Sequence, residues 1–342
     1  MTKEERDRWT ERAIAALDAV FPRVTYEVWG QCERLLPQVL TCAATVYPGE
    51  RSVELASLLA KTADYLRKRA RYEQAEPLYQ RALHICELAR GPAHPEVARI
   101  LEGLAGLYRK KGEYARTEPL YQRALDIRTQ AQGRKHPDLA FALSNLADLY
   151  LEQGKYDKAE PLYQQALNIR ERALGPEHRY VAGTLNGLAD LYRKQGKYAQ
   201  AEPLYQQALH IWERLGPEHR DVAFALTGLA DLYRKQGKYA QAEPLYQQAL
   251  RIRTQRLGSQ HPATAEIIHN VAQLRDAQGN REEAKALYEQ ALAIREQALG
   301  DNHPKTKETR KCYIALLQAM GQHEKAALLE AAHSEREKRE EE

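Results

Sequence analysis

One short segment recurs along the chain at a nearly constant interval. Glu-Pro-Leu-Tyr-Gln stands at 76–80, 118–122, 160–164, 202–206 and 243–247, with the variant Ala-Leu-Tyr-Glu-Gln at 286–290. The tyrosines of these segments lie 42 residues apart, except for one 41-residue step after Tyr205, where we place a deletion within 211–216. A fixed period of this length indicates a repeat architecture, which grows by adding units to one continuous core. The repeat therefore overrides the suggestion of two domains that a length of 342 residues makes by itself.

The third unit, residues 136–175, shows what one repeat folds into. Its apolar residues form two stripes with the three- and four-residue steps of a helix face: Leu139, Leu143, Leu146, Ala147 and Tyr150, then Tyr156, Ala159, Leu162, Tyr163, Ala166 and Ile169. Pro137 suits the first helical position, and Gly154 suits the left-handed residue just past a helix end. Pro161 is expected in the opening turn of the second helix, where a missing N–H costs little. Each unit is predicted to be a helix, a short turn and a second helix.

The order Leu-Ala-x-Leu-Tyr, Gly, Tyr, Ala, Tyr, Ala within this unit resembles the tetratricopeptide repeat. The 42-residue period, with its Gly-Pro-Glu-His link at 175–178, resembles the kinesin-light-chain type of that repeat. The resemblance covers roughly residues 50 to 338 as seven units. It implies an all-α fold, a right-handed superhelical α-solenoid of seven tetratricopeptide-type helical hairpins with an N-terminal helical cap.

The chain is accordingly divided into an N-terminal helical hairpin or cap at 1–49, the repeat array at 50–338 and a charged tail at 339–342. End units of such arrays depart from the pattern, because an outermost hairpin presents a wettable face. The first unit has Arg69-Ala70-Arg71 in place of the turn glycine, and the seventh has Leu329 near the tyrosine column. The charge-rich segment 334–342 is interpreted as a fraying helix end.

Two amphipathic segments precede the repeats, at residues 4–20 and about 26–46. Their apolar stripes are Trp9, Ile14, Leu17 and Phe21 in the first and Trp29, Leu35, Leu36 and Leu40 in the second. The simpler interpretation is a hairpin that shields the first repeat. Residues 9–37 also resemble the segment before the repeats of bacterial STAND proteins, where a nucleotide-binding NB-ARC module precedes it. That resemblance implies the ligand-sensing half of a signalling or defence switch, although no GxxxxGK[ST] loop occurs in this chain.

The composition and the N-terminal sequence argue against several other classes of protein. A formal net charge of +4 is small for a dedicated nucleic-acid binder, so no nucleic-acid partner is expected. The opening MTKEERDRW has no apolar core of a signal peptide, and no run of eighteen apolar residues occurs, so we expect no membrane partner. The four cysteines form no CxxC pair and are interpreted as reduced thiols. A cytoplasmic location is expected.

One histidine stands in each link between units: His94, His136, His178, His219, His261 and His303. Corresponding residues of neighbouring repeats lie about 10 Å apart, which is too far for shared ligation of one metal ion. Four of the six precede proline, which indicates the start of a helix. No GxSxG or HExxH motif occurs. We therefore expect no metal, no other cofactor and no enzymatic activity.

The most informative positions lie on the first helix of each hairpin. In tetratricopeptide arrays one face of this helix lines the concave groove, and the resemblance implies the same here. The predicted groove consists of Asp148, Asn186, Asp190, Arg193, Lys194, Thr227, Asp231, Arg234 and Lys235. Such side chains bond a peptide backbone, and arginine and lysine bind carboxylates. The alternative is that Asp190 and Arg193, three residues apart, merely pair along a solvated helix surface. The Lys and Asn pattern of the heat-shock-chaperone carboxylate clamp is not reproduced, so that ligand class is not carried over.

The leading hypothesis is a non-enzymatic scaffold that holds a protein or peptide ligand in this groove. Charge reversal at Arg193 and Arg234 is expected to abolish partner capture without changing the melting temperature. The alternative is an architectural array with an unoccupied groove, which spaces other modules or self-associates through its end repeats.

Overall fold

A computed structural model of the chain describes residues 2–22, 28–45, 52–133, 136–216, 219 and 221–331. In these ranges the chain forms helices and connecting turns, without a strand. The helices are α1 (Lys3–Val20), α2 (Trp29–Thr45), α3 (Val53–Lys68), α4 (Tyr72–Arg90), α5 (Pro95–Lys111), α6 (Tyr114–Gln132), α7 (Pro137–Glu152), α8 (Tyr156–Leu174), α9 (Arg179–Lys194), α10 (Tyr198–Leu215), α11 (Val222–Lys235), α12 (Tyr239–Leu257), α13 (Pro262–Ala277), α14 (Arg281–Leu299) and α15 (Pro304–Ala319). A last helical segment covers 323–331, and the predicted charged tail lies outside the described residues. No described helix has both the length and the apolar character needed to cross a membrane.

From α3 onward the helices pair into hairpins. α3 packs on α4, α5 on α6, α9 on α10, α11 on α12 and α13 on α14. A hydrogen bond from Tyr163 to Asp148 joins α8 to α7, and α15 is followed by the segment 323–331. The prediction of an all-α fold with seven helical hairpins is confirmed in the described part of the chain.

The chain divides into two compact units, Met1–Ile169 and Arg170–Glu342. In unit 1 the first helices of successive hairpins touch, α3 against α5 and α5 against α7. In unit 2 the same holds for α9 with α11 and α11 with α13. Within each unit these helices therefore form a row. We call the polar side chains along this row the first-helix face of that unit.

A left-handed residue ends the turn inside each hairpin. In the hairpin of α9 and α10, Gly196 has φ 77°, and the N–H of Lys197 donates to the carbonyl of Tyr192 at 2.8 Å. The first hairpin, which lacks the glycine, keeps the same geometry with Ala70 at φ 61°. An alanine in this region is strained, because its Cβ crowds the backbone carbonyl.

Pro161 does not lie in the opening turn of its helix, so that prediction is wrong. α8 begins at Tyr156, directly after the turn, and Pro161 is therefore its sixth residue. Prolines occupy the same place in four other second helices: Pro77, Pro119, Pro203 and Pro244. A proline there removes one hydrogen bond to the residue four positions earlier. The turn glycine, rather than the proline, sets where the second helix begins.

The 41-residue step between repeats is a shortening of α10. This helix has 18 residues, whereas α8 and α12 each have 19. α10 ends at Leu215, with Gly216 as its C-cap. The deletion therefore lies at the end of a second helix, as predicted.

α1 and α2 both pack against α3, as expected of a pair that covers the first hairpin. Lys61 of α3 pairs with Asp18 of α1 at 2.8 Å. The predicted stripe of α1 is wrong at Trp9, which is 63% exposed, while Ile14 and Phe21 are buried.

The stripe predicted for α2 also needs correction. Leu40 is exposed, and the buried residues are Trp29, Cys32, Leu36, Val39 and Ala43. These follow three- and four-residue steps, so the buried face includes a cysteine, a valine and an alanine that the prediction left out.

Candidate functional site

A hydrogen-bonded triad joins the two helices of a hairpin at the first-helix face. It consists of the recurring tyrosine, an aspartate on the first helix, and an arginine three residues after that aspartate. In the hairpin of α9 and α10, Tyr205 Oη donates to Asp190 Oδ1 at 2.6 Å. Arg193 donates through Nε to Tyr205 Oη at 3.0 Å and through Nη2 to Asp190 at 3.1 Å. We call this set a Tyr–Asp–Arg triad.

The next hairpin of unit 2 carries a second triad. Tyr246 Oη donates to Asp231 Oδ1, and Arg234 Nε donates to Tyr246 Oη at 3.3 Å. The two triads are linked, because Arg193 Nη1 lies 3.8 Å from Asp231 Oδ2. An aspartate on this face can thus accept a hydrogen bond from the tyrosine of its own hairpin and pair with two arginines, one from its own hairpin and one from the preceding hairpin.

Unit 1 contains a complete triad in its first hairpin. Tyr79 Oη donates to Asp64 at 2.5 Å. Arg67 donates to Tyr79 at 3.1 Å and to Asp64 at 3.2 Å. The arrangement matches that of unit 2.

The third hairpin, also in unit 1, takes its arginine from the hairpin before it. Tyr163 Oη donates to Asp148 at 2.5 Å. Leu151 stands where the triad arginine would be, and Arg109 of α5 donates instead to Asp148 at 2.9 Å. The aspartate is therefore satisfied although its own helix offers no arginine.

Burial and pairing stabilise the donor forms of these groups. Burial, followed by the nearby Asp190 carboxylate, raises the pKa of Tyr205 well above its ordinary value. Burial disfavours the charge of Arg193, but Tyr205, Asp190 and Asp231 outweigh it and raise the pKa of Arg193. The tyrosine remains a hydroxyl donor and the arginine remains a cation throughout the physiological range.

Two glycines make room for the triad tyrosine of the preceding hairpin. A Cβ built on Gly228 of α11 would lie 2.3 Å from Cε1 of Tyr205. A Cβ on Gly103 of α5 would lie 2.6 Å from Cε1 of Tyr79. Each glycine thus seats a tyrosine ring at the contact between hairpins, and that role was not predicted from sequence.

The predicted groove residues fall into three groups. Five belong to the triads: Asp148 in unit 1, and Asp190, Arg193, Asp231 and Arg234 in unit 2. Lys194 and Lys235, one residue after the triad arginines of unit 2, are exposed. The pairing of Asp190 with Arg193, raised as the alternative interpretation, is present at 3.1 Å.

Asn186 and Thr227 lie one turn before the triad aspartates. Asn186 Nδ2 donates to Asp190 Oδ2 at 3.2 Å, while its Oδ1 is buried without a hydrogen-bond partner. The hydroxyl of Thr227 donates to the carbonyl of Ala223 at 2.6 Å. Of the two, only Asn186 has a buried side-chain acceptor without a hydrogen-bond partner.

Sequence reasoning missed a set of buried arginines on the second helices. They are Arg128, Arg170, Arg253 and Arg295, each seven residues after a recurring tyrosine. Arg128 donates to both oxygens of Glu102, at 2.6 and 2.8 Å. Arg295 donates to the carbonyl of Lys305 at 2.8 Å and to the Thr309 hydroxyl, which ties α14 to α15. The regular spacing was the signal that could have found them.

Five of the linking histidines are the N-caps of first helices, and His219 makes the same bond just before α11, whose N-cap is Asp221. In each link, Nδ1 accepts the backbone N–H of the residue two positions later, at 3.1–3.2 Å: His94, His136, His178, His219, His261 and His303. Their interpretation as helix-start residues is confirmed. Within the described ranges, no group of three or more His, Cys, Asp or Glu is placed to hold a metal ion.

Comparison with solved structures gives the following likenesses. BtubC (BKLC) from P. vanneervenii is 25% identical over 72% of this chain and 91% of its own, with a TM-score of 0.49. The nearly identical TPR-like repeats of a candidate kinesin light chain from Podosopora anserina are 27% identical, over 60% and 97% of the two chains, with a TM-score of 0.44. A Rap protein complexed with competence and sporulation factor is 16% identical over 89% of this chain and 79% of its own; its TM-score of 0.67 shows a common fold.

Family comparison covers most of the chain. A model described as "Tetratricopeptide repeat" matches residues 54–116, 96–172, 180–255 and 221–297, and one described as "Tetratrico peptide repeat" matches 265–342. No curated protein sequence matches significantly. The recurring tyrosine, the turn glycine and the paired helices lie within the matched ranges. The chain therefore belongs to the tetratricopeptide repeat family.

Proposed function

We propose that this protein is a non-enzymatic scaffold that binds a protein or peptide on its first-helix face. The observation that carries the proposal is the linked pair of triads in unit 2, beside the exposed Lys194 and Lys235. The triads hold Asp190 and Asp231 in fixed positions. A ligand therefore meets polar groups that are already ordered, which lowers the entropy lost on binding.

The charges of this face differ in how available they are to a ligand. The side chains of Arg193 and Arg234 are only 16% and 13% exposed and are bonded within the triads. Reversing their charge would place a carboxylate against Asp190 or Asp231 and remove the hydrogen bond that the tyrosine hydroxyl accepts from the arginine. We therefore expect that change to lower the melting temperature, contrary to the expectation from sequence. Lys194 and Lys235 are better positions at which to test ligand binding.

The test is a peptide-display selection on the immobilised chain. Three proteins are compared: the unchanged chain, the double variant Lys194→Glu with Lys235→Glu, and the control Arg214→Glu with Arg251→Glu. The control makes the same charge change at exposed positions of the second helices α10 and α12. We expect the chain and the control to bind the same selected peptides and the lysine variant to lose at least tenfold in affinity, about 1.4 kcal/mol. Equal binding by all three proteins would place the ligand elsewhere.

Self-association is a second candidate because large apolar side chains are exposed near both ends of the described chain. Trp9 of α1 is 63% exposed, and Leu328 of the segment 323–331 is 65% exposed. Light scattering over a range of concentrations distinguishes this candidate. A mass that rises with concentration, and stops rising after Trp9→Arg or Leu328→Glu but not after the lysine changes, would favour the architectural role.

The finer proposal is that the array is the ligand-sensing half of a STAND-type switch that works in the cytoplasm. It is supported by the resemblance of residues 9–37 and by the packing of α1 and α2 on α3. Reading the coding sequence upstream of Met1 tests it, since a nucleotide-binding module in the same frame is expected. An unrelated reading frame there would remove the support.

A further inference from the structure

The second hairpin of unit 1 lacks the aspartate of its triad. Gly106 of α5 stands where Asp64 stands in α3 and Asp148 stands in α7. A cavity of about 220 Å³ lies at this place on the first-helix face. Arg67, Arg99, Arg109, Tyr121 and Asn145 contribute to its wall, together with Gly103, Gly106, Asp64 and Glu102.

The donors of a complete triad remain around the gap. A Cβ built on Gly106 would lie 3.5 Å from Arg67 Nη1 and 3.6 Å from Tyr121 Oη, so both groups face the space that an aspartate side chain would fill. Arg109 follows Gly106 by three residues, and its Nε is buried without a hydrogen-bond partner.

The acidic residues of the wall are already engaged. Asp64 accepts from Tyr79 and Arg67, and Glu102 accepts both of its bonds from Arg128. They balance part of the arginine charge but do not occupy the gap. Because these two carboxylates, and the Asp148 carboxylate that Arg109 already binds, remain nearby, the cavity suits a singly charged anion better than a dianion such as phosphate.

The donor set around the gap matches the one that holds an aspartate in unit 2. Asp231 lies against its own tyrosine and arginine and against Arg193 of the preceding hairpin. At Gly106 the corresponding donors are Tyr121, Arg109 and Arg67. We infer that the cavity binds a carboxylate group supplied by a peptide on the first-helix face, either an acidic side chain or the C-terminus. This inference rests on the proposed function for the source of the carboxylate, but the cavity is tested independently of any peptide.

The first test titrates the full chain with sodium acetate, against sodium chloride at equal ionic strength, and follows the arginine Nε–Hε signals by NMR. We expect saturable acetate shifts for Arg109 and Arg67 that chloride does not reproduce. In Gly106→Asp the tethered carboxylate takes the site, so the acetate shifts should vanish while the melting temperature rises. Gly106→Asn is the matched control, because it fills the same space without the charge and should block acetate without the same rise in melting temperature.

Each outcome of the titration decides the inference. Chloride shifts equal to the acetate shifts, the absence of any shift, or an unchanged acetate response in Gly106→Asp would overturn it. Saturable acetate shifts at Arg109 that Gly106→Asp removes would support it, whether or not a peptide is ever found.

A second experiment identifies the source of the carboxylate. Peptides selected on the unchanged chain are compared in three forms: free, amidated at the C-terminus, and with each acidic residue changed to its amide. We expect one of these neutral forms to lose at least tenfold in affinity for the chain, and Gly106→Asp to lose affinity for the free peptide. Peptides that bind equally in all forms, and equally to Gly106→Asp, would overturn the inference while leaving the proposed scaffold function intact.

Discussion

Three side chains occupy corresponding positions on α9, α11 and α13, yet they differ in their hydrogen-bond partners and in their burial. Asn186 bonds to an aspartate, Thr227 bonds to its own helix, and His269 is only 2% exposed. Gln273 Nε2 lies 2.9 Å from His269 Nε2, and Nδ1 of this histidine is buried without a partner. Burial, reinforced by Arg295 and opposed by Glu266, lowers the pKa of His269 to about 3.

This histidine predicts a pH dependence of stability. The pKa of His269 is lower in the folded chain than the ordinary value of about 6.5, so the unfolded chain binds the proton first as pH falls. Its contribution to the free energy of unfolding is full above about pH 6.5. Between pH 6.5 and about 3 it is lost, by at most about 1.4 kcal/mol per pH unit. Urea unfolding from pH 7 to pH 4.5 measures this slope, and His269→Asn should make it shallower.

His178→Asn is the control for that measurement. It changes a helix-capping histidine to another good N-cap residue and leaves His269 in place, so the slope should be retained. Equal slopes for the unchanged chain and His269→Asn would contradict the assignment of the pH dependence to this residue.

The helices show how far local sequence rules extend. Apolar spacing correctly predicted the paired helices, and Pro137 and Gly154 lie at the helix end and turn assigned to them. The rule that proline prefers an opening turn failed at Pro161, because the turn glycine sets where α8 begins and the other bonds of the helix compensate for one missing. Trp9 was misplaced because apolar character alone does not say which face of a single helix meets a neighbour.

The turn of the first hairpin offers a stabilising substitution. Ala70→Gly removes the Cβ from a left-handed backbone position, so we expect a gain of about 1 kcal/mol in the free energy of unfolding. Chemical denaturation measures the change. The reverse substitution at the corresponding turn, Gly196→Ala, should lose a similar amount. A loss of stability in Ala70→Gly would show that the alanine contributes a contact that outweighs its strain.

At the scale of the whole chain, the packing of each hairpin on its neighbours limits how far the destabilising effect of one substitution extends. The substitution Gly228→Ala would bring a Cβ within 2.3 Å of Tyr205, a buried ring that its bonds to Asp190 and Arg193 hold in place. We expect a loss of about 1–3 kcal/mol. Since a hairpin contacts only its neighbours, hydrogen exchange should accelerate in α9 to α12 and stay unchanged in α3 to α6.

Gly183→Ala serves as the control, because the nearest atom to its new Cβ, on Trp212, is 4.0 Å away. A glycine inside a helix is unfavourable, so this change should stabilise by about 0.5–1 kcal/mol. Faster exchange throughout the chain after Gly228→Ala would mean that the array unfolds as one cooperative body rather than locally.

The candidate site was partly predictable at this scale. Columns read from the repeat named Asp190, Arg193, Asp231 and Arg234, and these side chains lie next to one another in the structure. Their bonds to the recurring tyrosines were missed, because the tyrosine of the specimen unit, Tyr163, was assigned only to the apolar stripe of its helix. The gap at Gly106 was visible as a break in the aspartate column, but only three dimensions show that Arg67 and Tyr121 converge on it.

The seating of a tyrosine against the glycine of the next hairpin has a consequence for recombining these repeats. The hairpins of Tyr79 and Tyr205 cannot be moved as independent cassettes, because the glycine that accommodates each tyrosine belongs to the following hairpin. Placing a hairpin that carries a side chain at this position after the fourth would bring a Cβ within 2.3 Å of Tyr205, where Gly228 now stands, whereas Tyr246 is followed by Asn270. The exchangeable module therefore includes the first helix of the following hairpin. Chimeras whose crossover lies after that helix should fold.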